Sequence, residues 1–204
     1  MTIIALLTCI SLFAKEPEGQ KLFYNNVYVS GGVFLESGLN SRGQNPGTVQ
    51  MLSYGLDIHL KDKWSIMPGA DIRIMISDYL HRNYEGNDRD FLGYFDIFCI
   101  AKCHSEEFKA AYGIGPSIGY DCLVSPPESY YINGDPSDPR NGLRKFKGID
   151  LSLRPSITYY PAKFITFGIE GSIGLLNAMI QYPDINCTGV IHLHYVAAFF
   201  GFRF

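Results

Sequence analysis

Six ionisable residues sit inside otherwise apolar, alternating stretches of the chain: Asp57, Asp71, Arg73, Asp96, Arg154 and Glu170. Charges of both signs that are brought together out of water pair with one another, because an unpaired charge there loses hydration with nothing in return. They could form a structural ion-pair network or line a gated path for protons or ions, since both arrangements place carboxylates in perturbing surroundings. A second chemistry is offered by His192 and His194, two imidazoles two residues apart. Acyl transfer there would need a nucleophile within hydrogen-bond reach of an imidazole. A third candidate is the stretch 123–147, whose Glu128, Asp135 and Asp138 could hold Ca²⁺. Their spacing is not that of an EF-hand loop, and the Asn133-Gly134, Asp135-Pro136 and Asp138-Pro139 pairs are explained by turn chemistry. The adjacent Tyr130 and Tyr131 of that stretch suit contact with an extracellular ligand or sugar headgroups. The cysteines after the N-terminal stretch, Cys99, Cys103, Cys122 and Cys187, lack paired CxxC or a nearby His, so no zinc site is indicated and they read as small apolar fillers. Whether any two of them form a disulfide stays open. No serine elbow, phosphate-cradling loop or His-Glu metal motif is present, and no cofactor is expected.

These residues are positioned by a period of two that recurs along the chain with almost no competing helical pattern. In the segment from Leu52 to Leu60 every second residue is large and apolar, while those between are small or polar. Segments 70–76, 112–120, 149–157 and 165–173 repeat the pattern. Less regular ones lie near Val27 to Phe34 and Phe91 to Ala101, and a last one spans about Gly189 to Phe204. Eight strands are expected. Their connections alternate between long and short, with long polar stretches near 36–47, 80–89, 123–147 and 177–187. Short ones fall at Lys61-Asp62-Lys63, Cys103 to Phe108, and Pro161-Ala162-Lys163. A closed up-and-down barrel with loops at one end and tight turns at the other produces that asymmetry, whereas an open sheet would leave two long edges to protect.

The composition of the polar face indicates which way the apolar face points. That polar face carries Gly69, Gly113, Gly115, Gly119, Gly168, Gly174, Ala111, Ser117, Ser152 and Ser172 with a few charges and almost no lysine. It reads as an interior short of space, because an eight-stranded barrel is just wide enough for side chains to fill it. Lys61, Lys63, Lys102, Lys109, Lys145, Lys147 and Lys163 instead gather at turns and loops. The apolar band is therefore expected to face lipid, and the six charges to form a plugged, ion-paired middle layer. Aromatic residues flank both ends of the segments: Trp64, Phe108, Tyr112, Tyr159, Tyr160 and Phe164 near the short turns, and Tyr79, Tyr120, Tyr130, Tyr131 and Tyr182 near the loops. Such rings settle at membrane interfaces.

The chain ends with Val196, Ala198, Phe200, Phe202 and Phe204 on one face. This terminus resembles the final strand of the outer-membrane β-barrel families of Gram-negative bacteria, and the whole stretch from about Leu22 resembles the small eight-stranded OmpA/OmpX-type barrels in architecture. The resemblance implies an all-β, eight-stranded antiparallel up-and-down transmembrane β-barrel in the outer membrane. It also implies that those five residues are read by the barrel-assembly machinery, that both chain ends are periplasmic, and that the long loops lie outside the cell. By parity His192 and His194 face outward. Outward histidines resemble those of the lipid A deacylases, which place a Ser two residues after the His; here that position is Val196.

Met1 to Ala14 is an apolar stretch of signal-peptide length ending before Lys15-Glu16-Pro17, so residues 1–14 are expected to be an export signal and 15–204 the barrel domain. No Lys or Arg precedes the apolar stretch. A net charge of −3, from 17 basic and 20 acidic residues, removes nucleic acid as a partner. The leading expectation is a non-enzymatic, monomeric outer-membrane protein with a structural or surface-interaction role, contacting membrane lipid and lipopolysaccharide. A small porin-like channel, a lipid A modifying enzyme and a secreted lipocalin-like carrier remain as alternatives.

Overall fold

The computed structural model describes residues 22–37, 47–61, 63–77, 90–124, 149–176 and 192–204. The expected export signal and most of the loop 123–147, with Glu128, Tyr130, Tyr131, Asp135 and Asp138, lie outside the described residues, as do Tyr79, Tyr182 and Cys187. Eight strands run through the described residues: β1 (Phe23–Ser37), β2 (Gly47–Lys61), β3 (Trp64–Ser77), β4 (Asp90–Ser105), β5 (Ala110–Val124), β6 (Ile149–Ala162), β7 (Ile165–Gly174) and β8 (His192–Arg203). Each pairs antiparallel with the next, and β8 returns to β1, so the sheet closes into a barrel. Closure persists to the last residue: Asn25 N–H donates to the Phe204 carbonyl at 2.8 Å and Phe204 N–H to the Asn25 carbonyl at 3.0 Å. Every strand therefore has two neighbours and no edge is left unpaired.

Alternation places the apolar residues outside. Leu52, Ile72, Ile97, Ile114, Ile118, Ile157, Ile169, Val196, Phe200 and Phe202 are exposed, while Asp71, Arg73, Asp96, Arg154 and Glu170 on the opposite parity are buried. Water does not solvate a continuous apolar exterior of this extent, and closed barrels satisfy every backbone group internally, so this surface fits lipid. Strands of 10 to 16 residues are long enough, since about 9–11 tilted residues span a bilayer. Trp64, Phe108, Tyr112, Tyr159 and Phe164 are exposed beside the short turns, and Tyr120 is exposed towards the loops. Tyr160 departs from this set, because it shares the inward parity of Thr158 and its ring lies 4.8 Å from the Arg203 guanidinium.

The turn between β4 and β5 differs from that read in the sequence. β4 continues through Ser105, so the turn is only 106–109 and closes with Lys109 at φ 48°. The period of two simply runs on, which carries Lys102 and His104 to the inner face. Lys102 is thus not a turn lysine: it is 3% exposed inside the barrel. The interior is also less uniformly small and polar than its glycines and serines suggest. Phe34, Val49, Met51, Met75, Tyr94, Leu193, Tyr195 and Ala197 pack as an apolar cluster in the loop-side half, and Met67, Phe98 and Ile100 as another nearer the short turns.

Glycine makes room where large interior groups and strands approach. A Cβ on Gly115 would collide with the Cys99 carbonyl and lie 2.7 Å from Ile100 Cα on β4, and both are backbone atoms that cannot swing away. Gly115→Ala is expected to lower barrel stability by about 1–3 kcal/mol through this overpacking. Urea unfolding of the refolded barrel, followed by gel mobility without heating, measures it; an unchanged midpoint would refute the close approach.

Candidate functional site: the charged lumen

The middle of the lumen is held by two guanidinium groups. Arg73 Nε lies 3.0 Å from Asp96 Oδ2, and its Nη2 donates to Asp150 Oδ2 at 2.7 Å. Arg154 Nη1 pairs with Asp71 Oδ2, and its Nη2 reaches Asp96 Oδ2 at 3.4 Å. Asp96 therefore bridges the two arginines, tying β3, β4 and β6 across the barrel. Both arginines are 1% exposed. Aromatic faces complete their surroundings: Tyr94 at 4.7 Å from Arg73, Phe98 at 5.1 Å from Arg154, and Tyr195 at 5.6 and 5.7 Å from the two. An aromatic face attracts a cation through its quadrupole and suits the flat guanidinium better than an ammonium. Glu170 stands apart from these pairs and accepts a 2.5 Å hydrogen bond from Ser30 Oγ.

Asp57 is inward and fully buried but belongs to a different layer, nearer the short turns. Its ion-pair partner is Lys102, with Nζ 3.5 Å from Oδ2. Lys102 also donates to the Met67 thioether at 3.0 Å. Beyond this pair, at the mouth on the short-turn side, lie His59, His104, Arg203, Tyr24 and Tyr160. Ser65 Oγ is 2.7 Å from His104 Nε2, and Arg203 Nη2 donates to His59 Nε2 at 3.0 Å. Arg203 lies over the Tyr24 ring at 3.6 Å, and the two imidazole centroids are 4.7 Å apart.

Of the six charges singled out from sequence, the structure brings Asp71, Arg73, Asp96 and Arg154 into one cluster, joins Glu170 to Ser30, and gives Asp57 to Lys102. Sequence reasoning missed Asp150 and Lys102. Asp150 was legible, since it shares the parity of Ser152 and Arg154 on β6. It also missed His59 and His104, which share the inward parity of Asp57 and Lys102.

A cavity of about 20 Å³ lies between the arginine layer and the short-turn mouth, lined by Tyr28, Lys102, Thr158 and Glu170 among others. It is room for a water rather than a solute. On the outer surface, His192 and His194 stack at 6.3 Å, and His194 Nδ1 accepts the Gly174 N–H at 3.2 Å. Ser172 is 2% exposed inside the wall, so the serine nearest in register to this pair faces away from it. Cys99 and Cys122 are exposed free thiols, and Cys103 is a half-buried one.

No family model matches the sequence, and the curated proteins give no match. The structure is similar to solved barrels. Neisserial surface protein A superposes with TM-score 0.53 at 13% identity over 92% of this chain and 100% of that one. Ail, the attachment invasion locus protein of Yersinia pestis, gives TM-score 0.55 at 8% identity, covering 90% of this chain and 100% of its own. A further Ail structure, in complex with the heparin analogue sucrose octasulfate, gives 0.54 at 9% identity with the same coverage. With a closed antiparallel sheet of eight strands, an apolar exterior and an ion-paired lumen, the chain has the fold of the small eight-stranded outer-membrane β-barrels.

Proposed function

We propose that this protein is a non-enzymatic outer-membrane barrel of a Gram-negative bacterium, with a closed lumen and a surface-interaction role carried by its long loops. One observation carries the reading: Arg73 and Arg154, fully buried, pair with Asp150 and Asp71 respectively and are bridged by Asp96 in the middle of the lumen, between two apolar clusters. A solute path would have to break those pairs and leave charges uncompensated in a narrow lumen. Function then belongs to the rim. The Ail complex with a sulfated sugar is a precedent on the same fold for binding a polyanion. In this chain the sequence of loop 123–147 ends with Arg140, Arg144, Lys145 and Lys147 and also contains the tyrosine pair Tyr130 and Tyr131. Guanidinium and aromatic groups together suit phosphorylated or sulfated sugars, which include lipopolysaccharide. In this reading both chain ends are periplasmic, and Val196, Ala198, Phe200, Phe202 and Phe204 present the assembly signal. The barrel acts as a monomer.

Planar-bilayer recording of the refolded protein tests the closed lumen. No steady single-channel steps are expected, and reproducible conductance that changes in Asp71→Asn or Glu170→Gln would establish a channel instead. Lipid A mass spectrometry on a deletion strain is expected to give an unchanged profile. An altered profile restored by the wild type but not by His194→Ala would overturn the non-enzymatic reading.

A further inference from the structure

We propose that the short-turn mouth of the barrel is a binding site for one divalent transition-metal ion, held by Asp57, His59 and His104. Asp57 and His59 come from β2 and His104 from β4, and β3 lies between them. One donor atom from each residue lies within 4.8 Å of the other two. Two imidazoles and a carboxylate suit Zn²⁺, Co²⁺, Ni²⁺ or Cu²⁺ and do not suit Ca²⁺ or Mg²⁺, which take oxygen ligands. Donors about 2.1 Å from a tetrahedral ion stand roughly 3.4 Å apart, so the ion has to draw the three together by little more than 1 Å. Side-chain rotation at the end of a strand supplies that movement. Both histidines are half-buried at the mouth, which gives an entry path, whereas Asp57 lies beneath them with no exposed surface.

An independent observation points to a ligand at this place. Neither Asp57 oxygen has a hydrogen bond of good geometry, although the side chain is fully buried; the Ser65 hydroxyl is close enough to act on it, but the same hydroxyl is held 2.7 Å from His104 Nε2. Its compensating charge, Lys102, stands 3.5 Å away and spends a donor on the weak thioether acceptor of Met67. A buried carboxylate normally gathers several strong donors, so this one is poorly satisfied and aimed at two imidazoles.

The site is also guarded. Arg203 donates to His59 Nε2, and a guanidinium has no acceptor, so that nitrogen's lone pair is directed at Arg203. An incoming ion competes with Arg203 for His59 and is repelled by it and by Lys102. The Arg203 guanidinium also lies over the Tyr24 and Tyr160 rings, contacts it can keep when it gives up His59. This arrangement separates a metal site from a plain hydrogen-bonded plug: removing Arg203 tightens a metal site, while it merely loosens a plug.

The test uses the full chain without a histidine tag, refolded in detergent and titrated with Co²⁺ and Zn²⁺ by calorimetry, with the Co²⁺ absorption spectrum recorded. Wild type is expected to bind one ion per barrel with a spectrum showing nitrogen and oxygen donors. His104→Gln and His59→Gln each weaken binding by at least about 100-fold, and Arg203→Gln tightens it about tenfold. His192→Ala/His194→Ala leaves it unchanged, which assigns the binding to the mouth and not to the exterior histidine pair. Folding of each variant is checked by heat-modifiable gel mobility. Should one variant fail to fold, the wild-type spectrum and the Arg203→Gln titration still decide. Absence of one-to-one binding in wild type, or affinity unaffected by both His→Gln substitutions, overturns the proposal.

Discussion

Arg154→Met should lower the unfolding free energy of the refolded barrel by about 3–5 kcal/mol, the range for leaving a buried charge without its partner. The guanidinium pairs with Asp71 and reaches Asp96, and none of the three side chains is more than 2% exposed. Asp96 keeps Arg73 when Arg154 is lost, but Asp71 has no other ion pair among the described residues. Methionine retains much of the volume, so the loss reports charge and not a void. Adding Asp71→Asn to Arg154→Met should recover part of the stability, because the amide carries no charge to strand. Urea titration read by gel mobility without heating gives both numbers. A single variant within about 0.5 kcal/mol of wild type, the usual range for surface sites, would mean that solvent reaches this layer, and the closed lumen would have to be given up.

The second large effect lies on β3, on the face opposite Asp71 and Arg73. Ile72 is 47% exposed, registers with Leu52 on β2 and Phe95 on β4, and is flanked by Asp71 and Arg73, which point inward. In a lipid-embedded barrel Ile72→Arg is expected to cost about 2–4 kcal/mol, while Trp64→Arg, next to the short β2–β3 turn, costs only about 0–1 kcal/mol. That depth dependence is the signature of a hydrocarbon slab. Equal, small effects at both positions would mean that water bathes the exterior and that the chain is a soluble barrel.

Strand number, closure and the outward direction of the apolar face were legible because they depend on local period and on the lengths of connections. Every inward residue of β3, from Ser65 to Met75, sits on one parity, and a single slip of register would send Asp71 and Arg73 into lipid. Parity also predicted the burial of Asp57, Asp71, Arg73, Asp96, Arg154 and Glu170. Lys102 is not legible as an interior residue because lysines so often mark turns and nothing local shows that β4 runs on to Ser105. Tyr160 was misassigned because its neighbour Tyr159 does face outward.

The amino-acid sequence alone determined which side chains enter the lumen, since alternation is a property of each strand by itself. Only the tertiary structure decided who meets whom inside: that Asp96 bridges two arginines, that Asp57 turns to Lys102, and that His59 and His104 face each other across the mouth. Those partners are set by strand tilt, by register and by closure of β8 on β1, and these are fixed jointly by all eight strands. No segment carries that information alone, because a side chain reaching across a barrel meets residues whose height depends on every pairing in between.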